Sequence, residues 1–384
     1  MVCEVTRFIK REVERELWAC AAGRCQFSGC NRILYKSPVT QDRVNISEKA
    51  HIYSFSENGP RGWGSHKYIP HEINDITNLM LLCHDCHKTI DQDSTVHKYP
   101  ATLLLQWKKQ HEQRIEIVTG IAPEKRSYAV LYGANIGSEK ALIQHKHALE
   151  AMFPERYPTA DSPIELSMHW HNEDSKSDYW AAEKTNLEVA FQAKIRHIME
   201  KDSQAHFSLF ALAPQPLLVN LGVLFTDKAL VEVYQPIREP RTWRWQNSHP
   251  DNFNFVINEP ENTNQQPALV FSLSAKISRD RIVSVIGENP SIWEVTVPSA
   301  YMHTDFMKSQ SQLSLFRSTM RKLVATIKEK HGQCTPLHIF PAMPVSCAIE
   351  LGRIRMPKAD MPWMIYDQNN KHNNFIKTIQ IGEQ

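Results

Sequence analysis

No uninterrupted apolar run in these 384 residues is long enough to span a bilayer. The longest candidate, "LFALAPQPLLVNLGVLF", is broken by two prolines, a Gln and an Asn and reads as core. The opening "MVCEVTRFIKREVERELW" lacks the apolar centre of a secretory leader, so the expectation is a cytoplasmic protein with no membrane partner. An excess of one charge is missing as well: 44 Lys and Arg face 42 Asp and Glu. The first 120 residues hold 16 basic and 14 acidic side chains, which leaves 28 of each beyond them. Any contact with DNA must therefore use a local patch or a surface assembled by oligomerisation. Cysteine is scarce, eight in all, and in a reducing compartment these are thiols or metal ligands rather than disulfides. What remains is a soluble globular composition with room for two or three domains.

The few cysteines are clustered, six of the eight lying before residue 87. "CQFSGC" separates Cys25 from Cys30 by four residues, with Gly29 available for a left-handed knuckle turn. "LLCHDCHKTID" (81–91) sets Cys83 and Cys86 in a C-x2-C pair. Two such pairs supply four soft ligands and predict a closed tetrahedral zinc site, structural because no position is left for water. Cys20 falls in "REVERELWACAAG", where Val13, Leu17 and Cys20 recur at helix spacing, and reads as a helical cysteine outside the site. If the thiolates take zinc, His84 and His87 are left for other work. Val44, Ile46, Ile52 and Tyr53 predict a strand around His51. Leu79–Leu82 predict a second strand, and "HDCHKTID" a helix start. The run "YPATLLLQWKKQHEQRIEIV" predicts a further helix with Leu104, Trp107 and Ile115 inward and Lys108, Lys109 and Arg114 exposed.

These residues resemble the HNH endonucleases, in the variant carrying "AHI" and "N-x-x-x-L-C-x-x-C-H", over roughly residues 15 to 115. The resemblance implies an α+β chain opening on a ββα-metal module. His51 would be the general base that activates water, Asn78 would pin the loop and orient His51, and His87 would ligate a catalytic Mg²⁺ or Mn²⁺. Imidazole titrates near neutral pH, as such a base requires, and a hard cation suits the charge developing on phosphate oxygens. Many HNH enzymes carry an acid just before the first His, where this chain has Ala50. Glu48, Asp91 or Asp93 could substitute as second metal ligand, and Asp91, one helical turn after His87, is closest in register. His84 reads as a solvent-facing bystander, and His66 and His71 as loop residues.

Near "TGIAPEKRS" this composition stops, which places a linker at 119–126 after a nuclease domain at 1–118. Beyond it the chain repeats. "FSLFALAPQPLLVNLGVLF" (207–225) and "LHIFPAMPVSCAIELGRI" (337–354) align without gaps at an offset of 130, pairing Phe210 with Phe340, Pro214 with Pro344 and Leu221-Gly222 with Leu351-Gly352. Each copy follows an amphipathic helix, and each half opens on an apolar strand. The pattern predicts a duplicated α/β unit, largely parallel, with halves at about 127–245 and 266–384. Ligands settle over the carboxyl ends of such strands.

This tail behind an HNH module resembles the HNH–SAVED effectors of bacterial CBASS (cyclic-oligonucleotide anti-phage) systems, whose SAVED domain is two fused CARF-like, Rossmann-like halves. The resemblance implies a bacterial endonuclease that cuts double-stranded DNA once a cyclic di- or trinucleotide, the dinucleotide favoured, binds residues 127–384. It also implies a homo-oligomer, a dimer growing to a tetramer or higher on activation. Flat side chains and cations suit bases and phosphates, which nominates Tyr179, Trp180 and Lys184 in "DYWAAEK" and Lys276, Met343 and Pro344 in strand-end loops. "PRTWRW" (240–245) is open to three uses: a binding loop, an oligomer contact or cover for a core. The competing readings are a restriction-type HNH endonuclease whose C-terminal region recognises DNA sequence or modification, and a non-catalytic zinc-binding adaptor. Intact His51, Asn78 and His87 argue against the adaptor.

Overall fold

The computed structural model describes residues 8–64, 66, 72–137, 139, 141, 143–167, 178–246, 253–369 and 374–382. The chain divides into two units, Met1–Ala122 and Pro123–Gln384, and the division falls within the 119–126 span. No helix among the described residues is long and apolar enough to cross a membrane.

In the first unit α1 (Arg11–Cys20) buries Leu17 and is followed by the cysteine knuckle. β1 (Ser47–His51) pairs antiparallel with β2 (Leu79–Cys83), His51 opposite Leu79 and Ser47 opposite Cys83. β2 is buried throughout, as its unbroken apolar run LMLLC requires. It leads directly into α2 (His84–Asp91), and α3 (Ala101–Thr119) closes the unit. Leu17, Leu34, Ile52, Leu79–Leu82, Ile90 and Leu104 form one small core. One expectation is corrected on α3: Lys108 is buried, not exposed, because its ammonium pairs with Glu112 one turn later. His111 is buried beside it, its Nε2 3.1 Å from the Ala21 carbonyl.

The second unit contains two sheets. β3 (Arg126–Gly133) is followed by α4 (His145–Met152) and two short strands, β4 (Tyr157–Pro158) and β5 (Ile164–Glu165). Next come α5 (Tyr179–Phe191), a π-turn at Gln192–Arg196, α6 (His197–Lys201), β6 (His206–Leu212), α7 (Gln215–Phe225) and β7 (Leu230–Val233). This first sheet runs β4-β3-β6-β7 with β5 also on β3, all parallel. β8 (Val256–Asn258), β9 (Pro267–Ser272), α8 (Arg279–Ile286), β10 (Ser291–Thr296) and α9 (Gln310–His331) begin the second half. They are joined by β11 (Leu337–Ala342), α10 (Val345–Ile354), β12 (Trp363–Asn369) and β13 (Asn374–Ile381). The second sheet runs β13-β12-β11-β9-β10-β8, parallel in its centre with antiparallel edges. One large apolar cluster draws on both sheets and on α5, α7, α9 and α10, so the halves share a core.

The repeated Leu-Gly pair explains how they meet. A Cβ on Gly222 of α7 would overlap the carbonyl oxygen of Ile349 on α10, and one on Gly352 would overlap that of Val219. The helices cross backbone to backbone at the two glycines. Arg353, beside the crossing, donates to the carbonyls of Thr226 (3.2 Å) and Ala229 (2.9 Å) and pairs with buried Glu350 at 2.7 Å. Overpacking of this kind costs about 1–3 kcal/mol, more where backbone must shift. Gly222→Ala or Gly352→Ala is therefore expected to lower the stability of the second unit by about 3 kcal/mol or more, read by thermal denaturation, while Gly29→Ala leaves that unit unchanged.

Acid should weaken the same unit. His206 on β6 is pushed down to about 3, by burial first and then by Arg156 and other cations, with its Nδ1 2.8 Å from Ser127 Oγ. The unfolded chain takes up a proton near 6.5 that the folded chain refuses, so the contribution is complete above that pH and is lost as pH falls toward 3. Thermal scans between about pH 7 and pH 5 should show falling stability, and His206→Gln should reduce the slope.

Candidate functional site

The knuckle is held by short-range bonds. Cys25 N donates to Arg32 O at 2.9 Å, Cys30 N donates to Phe27 O at 3.0 Å, and Gly29 takes the left-handed conformation at φ +85°. Gln26 then docks the knuckle on β2, its N–H donating to Leu81 O at 2.9 Å and its Oε1 accepting from Leu81 N at 2.7 Å. This brings Cys25, Cys30, Cys83 and Cys86 together with all four sulfurs within 4.8 Å of one another. The Cys30 and Cys83 sulfurs are 3.9 Å apart, close to the roughly 3.8 Å edge of a tetrahedron with Zn–S bonds of about 2.3 Å. Burial pushes the Cys25 thiol up to about 12 and also raises Cys86. At Cys83 burial acts in the same direction, but hydrogen bonds from the Cys86 backbone and the neighbouring thiols outweigh it and lower that thiol. Four sulfurs crowded at low dielectric cannot all ionise without a cation between them, and a soft tetrahedral ion fits this set.

Beside this cage lie the HNH candidates. His51 ends β1, its Nε2 2.9 Å from Asn74 Oδ1. Asn78 is buried at the end of a 3-10 turn (Ile76–Asn78) whose N-cap Asp75 accepts from Thr77 N at 3.0 Å. Its Oδ1 accepts from Tyr53 N at 2.8 Å, and its Nδ2 donates to Tyr53 O and Ile73 O at 3.0 and 2.9 Å. Asn78 thus fastens the chain leaving β1, whereas, among the described residues, a side-chain hydrogen bond to His51 comes from Asn74, a residue that nothing in the sequence singles out. On α2, His87 Nε2 is 3.2 Å from Asp91 Oδ2. Asp91 Oδ1 meets Arg61 Nη2 at 2.5 Å. Burial would raise Asp91, but His87 and the Arg61 guanidinium hold it below the usual carboxylate range. Of the other carboxylates considered, Glu48 is 3.3 Å from exposed His84, and Asp93 is exposed. His66 stacks edge-on to Tyr53 at 5.7 Å, and His71 lies outside the described residues. Among the described residues the four cysteines are the one group of three or more His, Cys, Asp or Glu ligands that converges.

In the second unit a cleft of about 570 Å³ opens over the carboxyl ends of β6 and β11. The N-termini of α7 and α10 face it, each preceded by its proline, Pro214 or Pro344; the exposed Arg238 and Arg241 lie on its rim and the largely buried Trp243 lines its wall. Paired helix N-termini and arginines suit phosphates, and Trp243 suits a base. The halves are tied there by Gln235 Oε1, which accepts from Ser346 N (3.0 Å) and Oγ (2.8 Å). Of the nominated ligand residues, Met343 and Pro344 line this cleft. Lys276 lines a different groove along β8–β10. Tyr179 and Trp180 are buried in the core, Tyr179 donating to Asn135 O at 2.8 Å, and Lys184 donates to Gln380 O at 3.1 Å. Those four do not converge on the cleft. Arg241 and Trp243 come from the "PRTWRW" stretch, and Trp243 also packs edge-on against Phe210 at 5.5 Å, so it both lines the cleft and covers a core.

Structural thiolate sites of this kind contribute about 10–16 kcal/mol near neutral pH. One tightly held zinc per chain is therefore expected by elemental analysis. Cys83→Ser should lose it and unfold the first unit.

Comparison with known proteins follows the same division. The model for the HNH endonuclease family matches residues 25–96, and that for the SMODS-associated and fused to various effectors sensor domain (SAVED) matches residues 191–381. No curated protein matches the chain. Among solved structures, the Acinetobacter baumannii Cap4 SAVED/CARF-domain containing receptor with the cyclic trinucleotide 3'3'3'-cAAA aligns at a TM-score of 0.46 and 12% identity, over 74% of this chain and 62% of that one. The same receptor with 2'3'3'-cAAA aligns at 0.41 and 11%, over 73% and 56%. The Moraxella osloensis Cap4 receptor aligns at 0.37 and 14%, over 83% and 72%. This chain thus spans less than two thirds of the length of the two ligand-bound Acinetobacter baumannii structures. It carries an HNH endonuclease domain followed by a SAVED sensor domain.

Proposed function

We propose that this protein is a DNA endonuclease that is silent until a cyclic oligonucleotide occupies the cleft of its second unit. The observation that carries the reading is the pairing of two built sites on one chain. One is a ββα hairpin-helix with His51 and His87 on its arms, and the other is a two-fold cleft rimmed by arginines.

In the nuclease, His51 takes the proton from the attacking water, its ring held by Asn74, while Asn78 keeps the chain after β1 from moving. His87 would hold a divalent ion, Mg²⁺ or Mn²⁺, which supplies charge neutralisation at the scissile phosphate and leaving oxygen. One imidazole is a sparse cage for a hard cation, so DNA phosphate and water would have to supply its other ligands. The zinc cage takes no part in the reaction and holds β2 and α2 in register.

In the sensor, phosphates meet Arg238, Arg241 and the helix N-termini, and a base lies against Trp243. Moving the nuclease from about 1% to 99% active requires roughly 5.5 kcal/mol of preference for the active state, within reach of several stacked bases and paired phosphates. Self-association into a larger homo-oligomer is the expected route of that coupling.

The test is plasmid cleavage with Mg²⁺ against a panel of cyclic di- and trinucleotides. Negligible cutting alone, strong cutting with one member and a ligand-dependent rise in particle size are expected. His51→Ala should lower cleavage about 10²–10⁴-fold with zinc content and thermal stability unchanged, and Arg241→Ala should raise the messenger concentration required. Sequence-specific cutting by the ligand-free protein would instead favour a restriction-type enzyme.

A further inference from the structure

Arg61 lies in the loop after β1 and takes a left-handed conformation at φ +61°, followed by Gly62 at φ +58°. A side chain at such a φ crowds its own backbone, so a glycine would suit the backbone better and the arginine is there for its side chain. That side chain is nearly hidden, 6% exposed. Its donors are spent across two elements. Nε donates to Ile52 O at 2.5 Å and Nη2 lies 3.4 Å from His51 O, on the chain leaving β1. Nη1 donates to Ile90 O at 2.8 Å and Nη2 to Asp91 Oδ1 at 2.5 Å, on the last turn of α2. No ladder bond joins these two ends: β1 pairs with β2, and α2 continues from β2. Arg61 bridges the arm that carries His51 and the arm that carries His87.

Asp91 is engaged at both oxygens, Oδ1 by Arg61 and Oδ2 by His87 Nε2 at 3.2 Å. With Nε2 facing a carboxylate, the tautomer that carries its proton on Nε2 is favoured, and that leaves the lone pair on Nδ1. Carboxylates that fix the tautomer of a metal-binding histidine work in this way.

We propose that Arg61 and Asp91 are positioning residues of the nuclease, that Asp91 orients His87 rather than ligating the divalent ion itself, and that His87 offers the ion Nδ1. The proposal rests on the nuclease reading above, and it replaces Asp91 as the second metal ligand.

Four variants of the full-length, zinc-loaded chain test it: Arg61→Lys, Arg61→Met, Asp91→Asn and His87→Ala. The readouts are Mn²⁺ affinity by electron paramagnetic resonance, zinc content, and the ring-nitrogen NMR of ¹⁵N-histidine-labelled protein. Wild type without divalent ion should show His87 protonated at Nε2 and bare at Nδ1, and Asp91→Asn should lose that preference. Mn²⁺ affinity should fall about 10–100-fold in Asp91→Asn and in Arg61→Lys, and vanish in His87→Ala. Lysine keeps the charge beside Asp91 but cannot form the fork, so it separates geometry from charge. Cleavage by Arg61→Lys should need more Mn²⁺ yet reach near wild-type rates when saturated, a split that a partly unfolded protein would not give. Arg61→Met, with zinc retained, should resemble Arg61→Lys.

Three results overturn the proposal: wild-type Mn²⁺ affinity in both Arg61→Lys and Asp91→Asn, a His87 ring bare at Nε2, or Asp91→Asn as severe as His87→Ala while Arg61→Lys is normal. The last would make Asp91 a direct ligand. A wild-type chain that neither binds Mn²⁺ nor cuts DNA defeats the nuclease reading itself, and the tautomer measurement tells that failure apart.

Discussion

The second unit depends on one close approach, the crossing of α7 and α10 at Gly222 and Gly352, where each helix lies against the other's carbonyl oxygens. Because the helices touch backbone to backbone, the strands that feed them, β6 and β11, must end side by side. Their N-termini are then forced to open on one space. The cleft is a consequence of that crossing more than of any residue lining it. Arg353 and Glu350 seal the far end of the same contact, and Gln235 with Ser346 seals the near end.

The first unit solves a different problem. With so small an apolar core it needs cross-links. The four cysteines tie the knuckle to β2 and α2, and Arg61 ties the far end of the hairpin to the far end of α2. Between them they define both ends of the wedge in which His51 and His87 sit. The two devices differ in kind: one gathers four thiols into a set that suits a soft cation, whereas the arginine depends on filled carbonyl acceptors and a half-buried carboxylate.

Sequence alone exposed the parts whose meaning is carried by spacing. Cys25, Cys30, Cys83 and Cys86 stood out because a ligand set has fixed intervals, and Leu221-Gly222 with Leu351-Gly352 stood out because duplication preserves position. The same reasoning could not see Arg61 or Asn74, since each acts through the fold and no interval links them to their partners. It also misplaced Lys108, whose burial follows from a glutamate one turn on rather than from its own polarity. Tyr179 and Trp180 had the right chemistry for a nucleotide, but chemistry does not reveal which way a helix faces, and both point into the core. Arg241 comes from a stretch whose composition supports several uses, Arg238 from just before it, and only the fold brings them to the mouth of the cleft.

The glycine crossing also sets a timetable for synthesis. Gly352 follows Gly222 by 130 residues, so α7 leaves the ribosome long before the helix that will cover it. At about 5–20 residues per second, the interval is on the order of 10 s. For that time one face of an almost wholly apolar helix, QPLLVNLGVLF, has no partner. Hairpins and helices form in microseconds, so local structure is complete and waiting while the shared core is not. The two halves are therefore repeats in sequence but not independent folding units. The first stays exposed to misassembly until the second arrives, and a newborn chain has neither a finished cleft nor a working sensor during that wait.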